Sequence, residues 1–311
     1  MKKVRLVIVF VIFNILLFGI LYRLNYVLAF KDYSGAQAKF AKWNPEHADI
    51  VFVGNSHQFC SVNPDVLYDD YGIESFMLAT SAQTLPQSYY AVMEAIELKH
   101  PEKIVFEISY TANDFFTVSD EMTHCFMDGM PRCEARKLAM NEMIEKEDRI
   151  YYRLPLGLYH SRWKELEEKD YKDFPVSDRG TYIMPEVFDN WEIPVLEDGK
   201  RIQIPQLCEE YLIKIIDLCK ESGVELILYV APFNGLYDDE GGRDDILIRQ
   251  AKFNYAFDIA KERGIPCYNL FETFDDIGID SSFDWADSQH LNKTGQEKLT
   301  KYLYESKILG Y

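Results

Sequence analysis

Five short, nearly continuous apolar runs constrain this chain more than any other feature. They are ADIVFV (48–53), SFMLAT (75–80), KIVFEISY (103–110), VELILYVAPF (224–233) and IPCYNLF (265–271). A run that is apolar on both faces belongs inside a sheet covered on both sides, which is the position of a parallel strand. Helical patterns at 86–98, 205–222 and 243–263 separate most of them. That alternation requires right-handed crossovers and predicts an α/β chain with a five-stranded parallel sheet and helices on both faces. Ligands of such sheets bind beyond the carboxyl ends of the strands. The alternation breaks between roughly Phe115 and Ile204, a stretch rich in Tyr, Trp, Glu and Met. An excursion of about 90 residues after strand 3 reads as an insertion at the active-site rim, a lid or specificity element.

The first thirty residues are a different kind of sequence. From Leu6 to Tyr22 only Asn14 is polar, and apolar character resumes after Arg23 through Phe30. At about 1.5 Å per residue this segment crosses a hydrocarbon core of about 30 Å if Arg23 snorkels to the interface. Lys2, Lys3 and Arg5 precede it, and no acid lies within residues 1–30. By the positive-inside rule the N-terminus is cytoplasmic and the rest extracytoplasmic. YVLAFKDYSG offers a signal peptidase poor sites, so an uncleaved anchor is expected over a cleaved signal. The predicted division is therefore an anchor at 1–30 and one exported domain at 31–311 carrying the insertion at 115–204.

Charge excludes one class of partner. The 311 residues hold 33 basic and 51 acidic side chains, net −18, and the 281 residues after the anchor hold 29 and 51, net −22. Nucleic acid, and any strongly anionic polymer, is a poor partner for such a body unless a local basic patch exists. Of six cysteines, Cys125 and Cys133 are the most plausible local pair in an oxidising compartment. Cys208, Cys219 and Cys267 sit where buried free thiols are the ordinary outcome. With no C-x-x-C, neither a structural metal nor a cofactor is expected.

Two motifs fall where this architecture places a site. Strand 1 ends in Gly54-Asn55-Ser56-His57, which puts a serine in a sharp turn beside helix-start amides able to donate to an oxyanion. Near the other end stand Asp287-Ser288-Gln289-His290, and the Thr294/Glu297 spacing after them is that of a capping box. A serine becomes a nucleophile when an imidazole takes its proton, and that imidazole needs an acceptor on its other nitrogen. Asp287 can supply it to His290 from the same turn. A helix-entry turn whose Asp and His only bond backbone is the plainer reading of an isolated D-x-x-H.

Together, Gly54-Asn55-Ser56 and Asp287-x-x-His290 resemble blocks I and V of the SGNH/GDSL hydrolase superfamily, whose fold is a flavodoxin-like three-layer sandwich. Ser81-Ala82-Gln83-Thr84 is similar to block II, with Ala82 replacing a glycine whose amide feeds the oxyanion hole. Thr111-Ala112-Asn113-Asp114 resembles block III, with Asn113 about two residues further from the strand than the pattern expects. The resemblance spans residues 48–114 and 224–305. It implies a triad of Ser56, His290 and Asp287 and oxyanion donors at Ser56, Ala82 and Asn113. The anchor, GNSH, TSAQ and the insertion look most like an exported subgroup related to teichoic-acid D-alanine transfer and to alginate and peptidoglycan O-acetyl transfer. The resemblance thus implies hydrolysis or transfer of acyl esters on a cell-wall polymer or related acylated carbohydrate, beside a membrane-bound O-acyltransferase partner.

Two alternatives stay open: a catalytically idle scaffold on the same fold, and a plain exported esterase for small esters. Four further residues or groups have two readings each. His57 polarises substrate or bonds backbone; Cys60 is reactive or a small buried thiol; Trp285 stacks on sugar or packs on the last helix. Tyr159-His160-Ser161-Arg162-Trp163 contacts a polymer or acyl donor, or else ties the insertion to the core.

Overall fold

A computed structural model describes residues 2–30, 48–113, 119–154, 156–171, 179–189, 199–232 and 243–311. Asp114, Phe115 and Phe233 lie outside the described residues. Helix α1 (Lys2–Phe30) leads to β1 (Ile50–Gly54), α2 (Ser56–Phe59), α3 (Pro64–Tyr71), β2 (Ser75–Ala79), α4 (Leu85–Lys99) and β3 (Lys103–Glu107). The insertion contains α5 (Asp120–Met127), α6 (Glu134–Met143), α7 (Arg149–Arg153) and α8 (Leu156–Tyr159). The chain then returns through α9 (Gln206–Ser222), β4 (Glu225–Val230), α10 (Arg243–Glu262), β5 (Cys267–Asn269), α11 (Phe274–Ile277) and α12 (Lys293–Glu305).

All strands are parallel and ordered β2-β1-β3-β4-β5, a flavodoxin-like order. Each apolar run forms a strand because both of its faces meet helices. Val51, Val53, Phe76, Leu78, Ile104, Phe106, Leu226 and Leu228 enter one core with residues of α4, α9 and α10. The alternate residues Ile50, Phe52, Met77, Val105, Ile227 and Tyr229 enter a second core with α3, α11 and α12. The strands are shorter than the apolar runs. Beyond β3, Ser109–Ala112 form a 3-10 turn rather than extending the strand.

All six cysteines are free, Cys125 and Cys133 included. Cys133 instead caps α6, its sulfur accepting from the Arg136 amide at 3.4 Å. The last helix also starts differently from the capping-box expectation. Asn292 is its N-cap, with Oδ1 accepting from the Thr294 and Gly295 amides at 2.9 and 3.2 Å. α1 is long and apolar enough to cross a membrane. Its last turn rests on the insertion: Asn25 Oδ1 accepts from the Leu156 amide at 2.7 Å, and Leu28 and Ala29 pack with Tyr159.

Candidate active site

The sheet gathers the carboxyl ends of its strands at one edge, and the β1 turn there is dictated by contact. A Cβ on Gly54 would stand 2.7 Å from the Cβ of Gln58 and 3.2 Å from that of Glu107. Glycine is therefore required, and the chain turns at once into α2. Asn55 caps that helix, its Oδ1 accepting from the His57 amide at 2.8 Å. Its Nδ2 donates to Ser109 Oγ at 3.2 Å, and Ser109 Oγ donates to the Glu107 carboxyl at 2.7 Å. The Ser109 and Ala231 amides also reach that carboxyl, each at 3.2 Å. Ser56 opens α2 above this buried chain. Burial pushes the Glu107 carboxyl up to about 7 even though those donors pull it down.

The loop before α12 is equally determined. Trp285 and Leu291 form an antiparallel bridge, and the Ala286 amide donates to the His290 carbonyl at 2.9 Å. Gly295 lets the loop close on α12, because a Cβ there would lie 2.4 Å from the Asp284 carbonyl oxygen. Within the loop Asp287 Oδ1 accepts from the Gln289 and His290 amides at 2.7 and 2.8 Å. Its Oδ2 lies 2.8 Å from His290 Nδ1. Burial pushes the Asp287 carboxyl up, but the His290 hydrogen bond and charge, with the two amides, outweigh it and hold the pKa below the usual value. Asp287 is thus a carboxylate at neutral pH, and its bond selects the His290 tautomer with the proton on Nδ1.

His57 links this loop to the β1 turn. Its ring centroid lies 5.1 Å from that of His290, and it bonds the Gln289 backbone. Burial first, then the charges of His290 and Arg249, hold its pKa well below the ordinary value. Its ring is therefore uncharged at neutral pH and packs on His290. Among the described residues the buried His290 Nε2 has no hydrogen-bond partner, and none joins it to Ser56 Oγ.

Ala82, after β2, has the left-handed φ of 51° that a glycine would adopt freely. Gln83 locks this turn: its Oε1 accepts from the Thr80 amide and hydroxyl, both at 3.0 Å. Among the described residues nothing accepts from the Ser56 or Ala82 amides. Asn113 ends the 3-10 turn after β3, and Arg249 Nη1 donates to its Oδ1 at 2.7 Å. No hydrogen bond joins it to Ser56 or Ala82.

Three parts of this site carry little sequence signal. Arg249, on α10, both holds Asn113 and bears on His57. Glu107 looks like a strand-end charge until its burial is seen. Residues 179–189 of the insertion line the wall beside the His290 loop: the Lys293 amide donates to the Met184 carbonyl at 3.0 Å and the Phe188 amide to that of Trp285 at 2.8 Å. Two of the residues with two readings are packed into the structure. Trp285 is fully buried beside Phe274, and Cys60 is buried with its sulfur 3.6 Å from Met184. Within the 159–163 cluster, Tyr159 and Arg162 tie the insertion to α1 rather than to the core, with Arg162 Nη1 donating to the Leu28 carbonyl at 3.2 Å and stacking over Tyr159, while His160, Ser161 and Trp163 are exposed.

No family model matches the chain, and no curated protein matches it. Solved structures do. The psychrotrophic esterase EstA from Pseudoalteromonas sp. is 12% identical over 85% of this chain and 100% of its own, with a TM-score of 0.43. A GDSL-like lipase from Bacteroides thetaiotaomicron VPI-5482 is 11% identical over 86% of this chain and 90% of its own, with a TM-score of 0.40. Likeness at that level identifies neither family nor activity, and the chemistry rests on the chain's own residues.

Proposed function

We propose that this chain is a serine-dependent acyl-ester hydrolase or O-acyltransferase, anchored by α1 and working outside the membrane on an acylated envelope carbohydrate. The observation that carries the reading is the Asp287–His290 pair at 2.8 Å, whose remaining ring nitrogen is buried and unengaged. A histidine held in one tautomer with Nε2 free is a general base awaiting a proton donor. Ser56 would attack the ester carbonyl and pass its proton to Nε2, which returns it to the leaving alcohol. Water or a sugar hydroxyl then takes the acyl group from Ser56. The Ser56 and Ala82 amides have no internal acceptor and suit the oxyanion. Arg249 occupies Oδ1 of Asn113, which leaves the Nδ2 end of that amide to donate. The lack of a hydrogen bond between Nε2 and Ser56 is compatible with this, since catalytic bonds commonly tighten only around substrate.

The extracytoplasmic placement is supported by Lys2, Lys3 and Arg5 before the span, against a body of net charge −22. The same charge favours a neutral acylated carbohydrate over a polyanion, and the resemblance to polymer-acylating proteins favours a membrane-bound O-acyltransferase as partner. The idle-scaffold alternative draws on the missing Ser56–His290 bond. Full-length protein in non-ionic detergent, treated with a fluorophosphonate and assayed on an activated acetate ester, decides between them. Labelling and turnover that vanish in Ser56→Ala and fall at least about 10³-fold in His290→Ala are expected. A folded protein that neither labels nor turns over is the scaffold, and labelling that survives Ser56→Ala sinks the residue assignment.

A further inference from the structure

The insertion and the end of α1 enclose a cavity of about 750 Å³ that shares no lining residue with the loops around Ser56. Its walls include Tyr22 and Asn25 of α1 and Arg132, Arg136, Lys137 and Arg153 of the insertion. Four cations around one cavity stand out in a body of net charge −22. Their charge is also little spent. Arg136 donates to the carbonyls of Met127, Met130 and Tyr152, and among the described residues no carboxylate hydrogen-bonds its guanidinium, although Asp128 and Glu94 act on it by charge. Arg132 and Arg153 are exposed and join no ion pair among the described residues. Lys137 pairs with Glu134, both well exposed, at 2.9 Å. The carboxylate in the wall, Asp128, is already engaged by His124 Nδ1 at 3.1 Å and by the Tyr159 hydroxyl at 3.0 Å.

Such a cavity selects an anion, and its position selects the source. Tyr22 closes the apolar run 6–22, and Arg23 follows it. An aromatic ring and a cation at the end of a span mark the level where hydrocarbon gives way to headgroups. The cavity opens beside these residues, so the phosphate it meets is one held in the leaflet. We propose that it binds the phosphate headgroup of an anionic membrane lipid, with Arg136 fixed by backbone carbonyls as the central donor and Arg132, Lys137 and Arg153 completing the cradle. This rests on α1 crossing the membrane but not on the Ser56 chemistry.

The test uses full-length protein in mixed micelles of a non-ionic detergent with phosphatidylglycerol or phosphatidylcholine. Bound lipid is counted by native mass spectrometry, and glycerol phosphate serves as the soluble source of the same group. Wild type is expected to retain one phosphatidylglycerol where phosphatidylcholine is lost. R132Q/R153Q should retain it about 30-fold more weakly, roughly fivefold for each cation at a membrane surface. Ser56→Ala should bind as wild type does. If the double variant does not fold, Lys137→Gln alone, an exposed position, should weaken retention about fivefold. Equal retention of the two lipids, or retention indifferent to these substitutions, overturns the proposal. Saturation by glycerol phosphate with no lipid retained overturns the lipid source and assigns the cavity to soluble phosphates. Failure of the anchor reading shows separately, as protein released from membranes by an alkaline carbonate wash.

Discussion

Glu107 is the residue on which the turn after β1 rests. It approaches Gly54, receives Ser109 and Ala231, and through Ser109 holds the Asn55 side chain that caps α2. Because burial raises its pKa from 4.5 to about 7, the folded chain keeps a proton between those values that the unfolded chain has released. Stability therefore falls as pH rises through that window, by on the order of 3 kcal/mol, and is level above it. Glu94, pushed up to about 8 by burial, adds a slope of the same sign. In Glu107→Gln the decline in denaturation free energy between pH 5 and pH 8 should shrink by that amount relative to wild type; identical slopes would remove the carboxyl from the account. Ala82 makes the opposite kind of demand. Holding an alanine at φ 51° costs about 1–2 kcal/mol, while glycine's extra freedom in the unfolded chain returns about 0.4–1. Ala82→Gly should melt at or above the wild-type temperature and keep esterase activity within about twofold, because the amide is retained. A loss exceeding about 1 kcal/mol would show that the turn is not strained.

Elements differ in how plainly the sequence announces them, and the reason is the range of the interactions that make them. The five strands were legible because each is apolar on both faces, a property of neighbouring residues that survives without any knowledge of partners. The Asp287–His290 pair was legible because four consecutive residues of one loop contain it. The start of α12 misled: Thr294 and Glu297 have capping-box spacing, yet Asn292 caps the helix. Its side chain is committed by distant partners, with Nδ2 donating to the carbonyls of Glu186 and Trp285 at 3.2 and 3.3 Å. Local spacing cannot report such bonds. The same holds for Arg249, which lies 136 positions from Asn113, and for residues 179–189, whose lack of periodicity conceals that they form a wall beside the His290 loop. The Tyr159–Trp163 cluster was visible as aromatic and basic, but its partner, the last turn of α1, belonged to a segment read as serving only the membrane.

That contact bears on the molecule as a whole. A cleaved signal leaves nothing behind, whereas the end of α1 is part of the folded body: Val27, Leu28 and Ala29 are each no more than 3% exposed, and Arg162 donates to the Leu28 carbonyl. Removing residues 1–30 would uncover Tyr159 and strip the Leu156 amide of its acceptor Asn25. Exposing such a buried patch costs about 25 cal/mol for each Å² of apolar surface, so a chain built this way is most stable with its helix attached. The expected outcome is that protein extracted from membranes retains its first thirty residues by intact mass, and that a reporter joined through a linker after Tyr311 is active only in the extracytoplasmic form. An N-terminus beginning beyond residue 30 would convert α1 into a signal and remove Tyr22 and Asn25 from the basic cavity, whereas a cytoplasmic reporter would reverse the direction set by Lys2, Lys3 and Arg5. The two results fail separately because one depends on the packing of the helix's last turn and the other on the charges before its first.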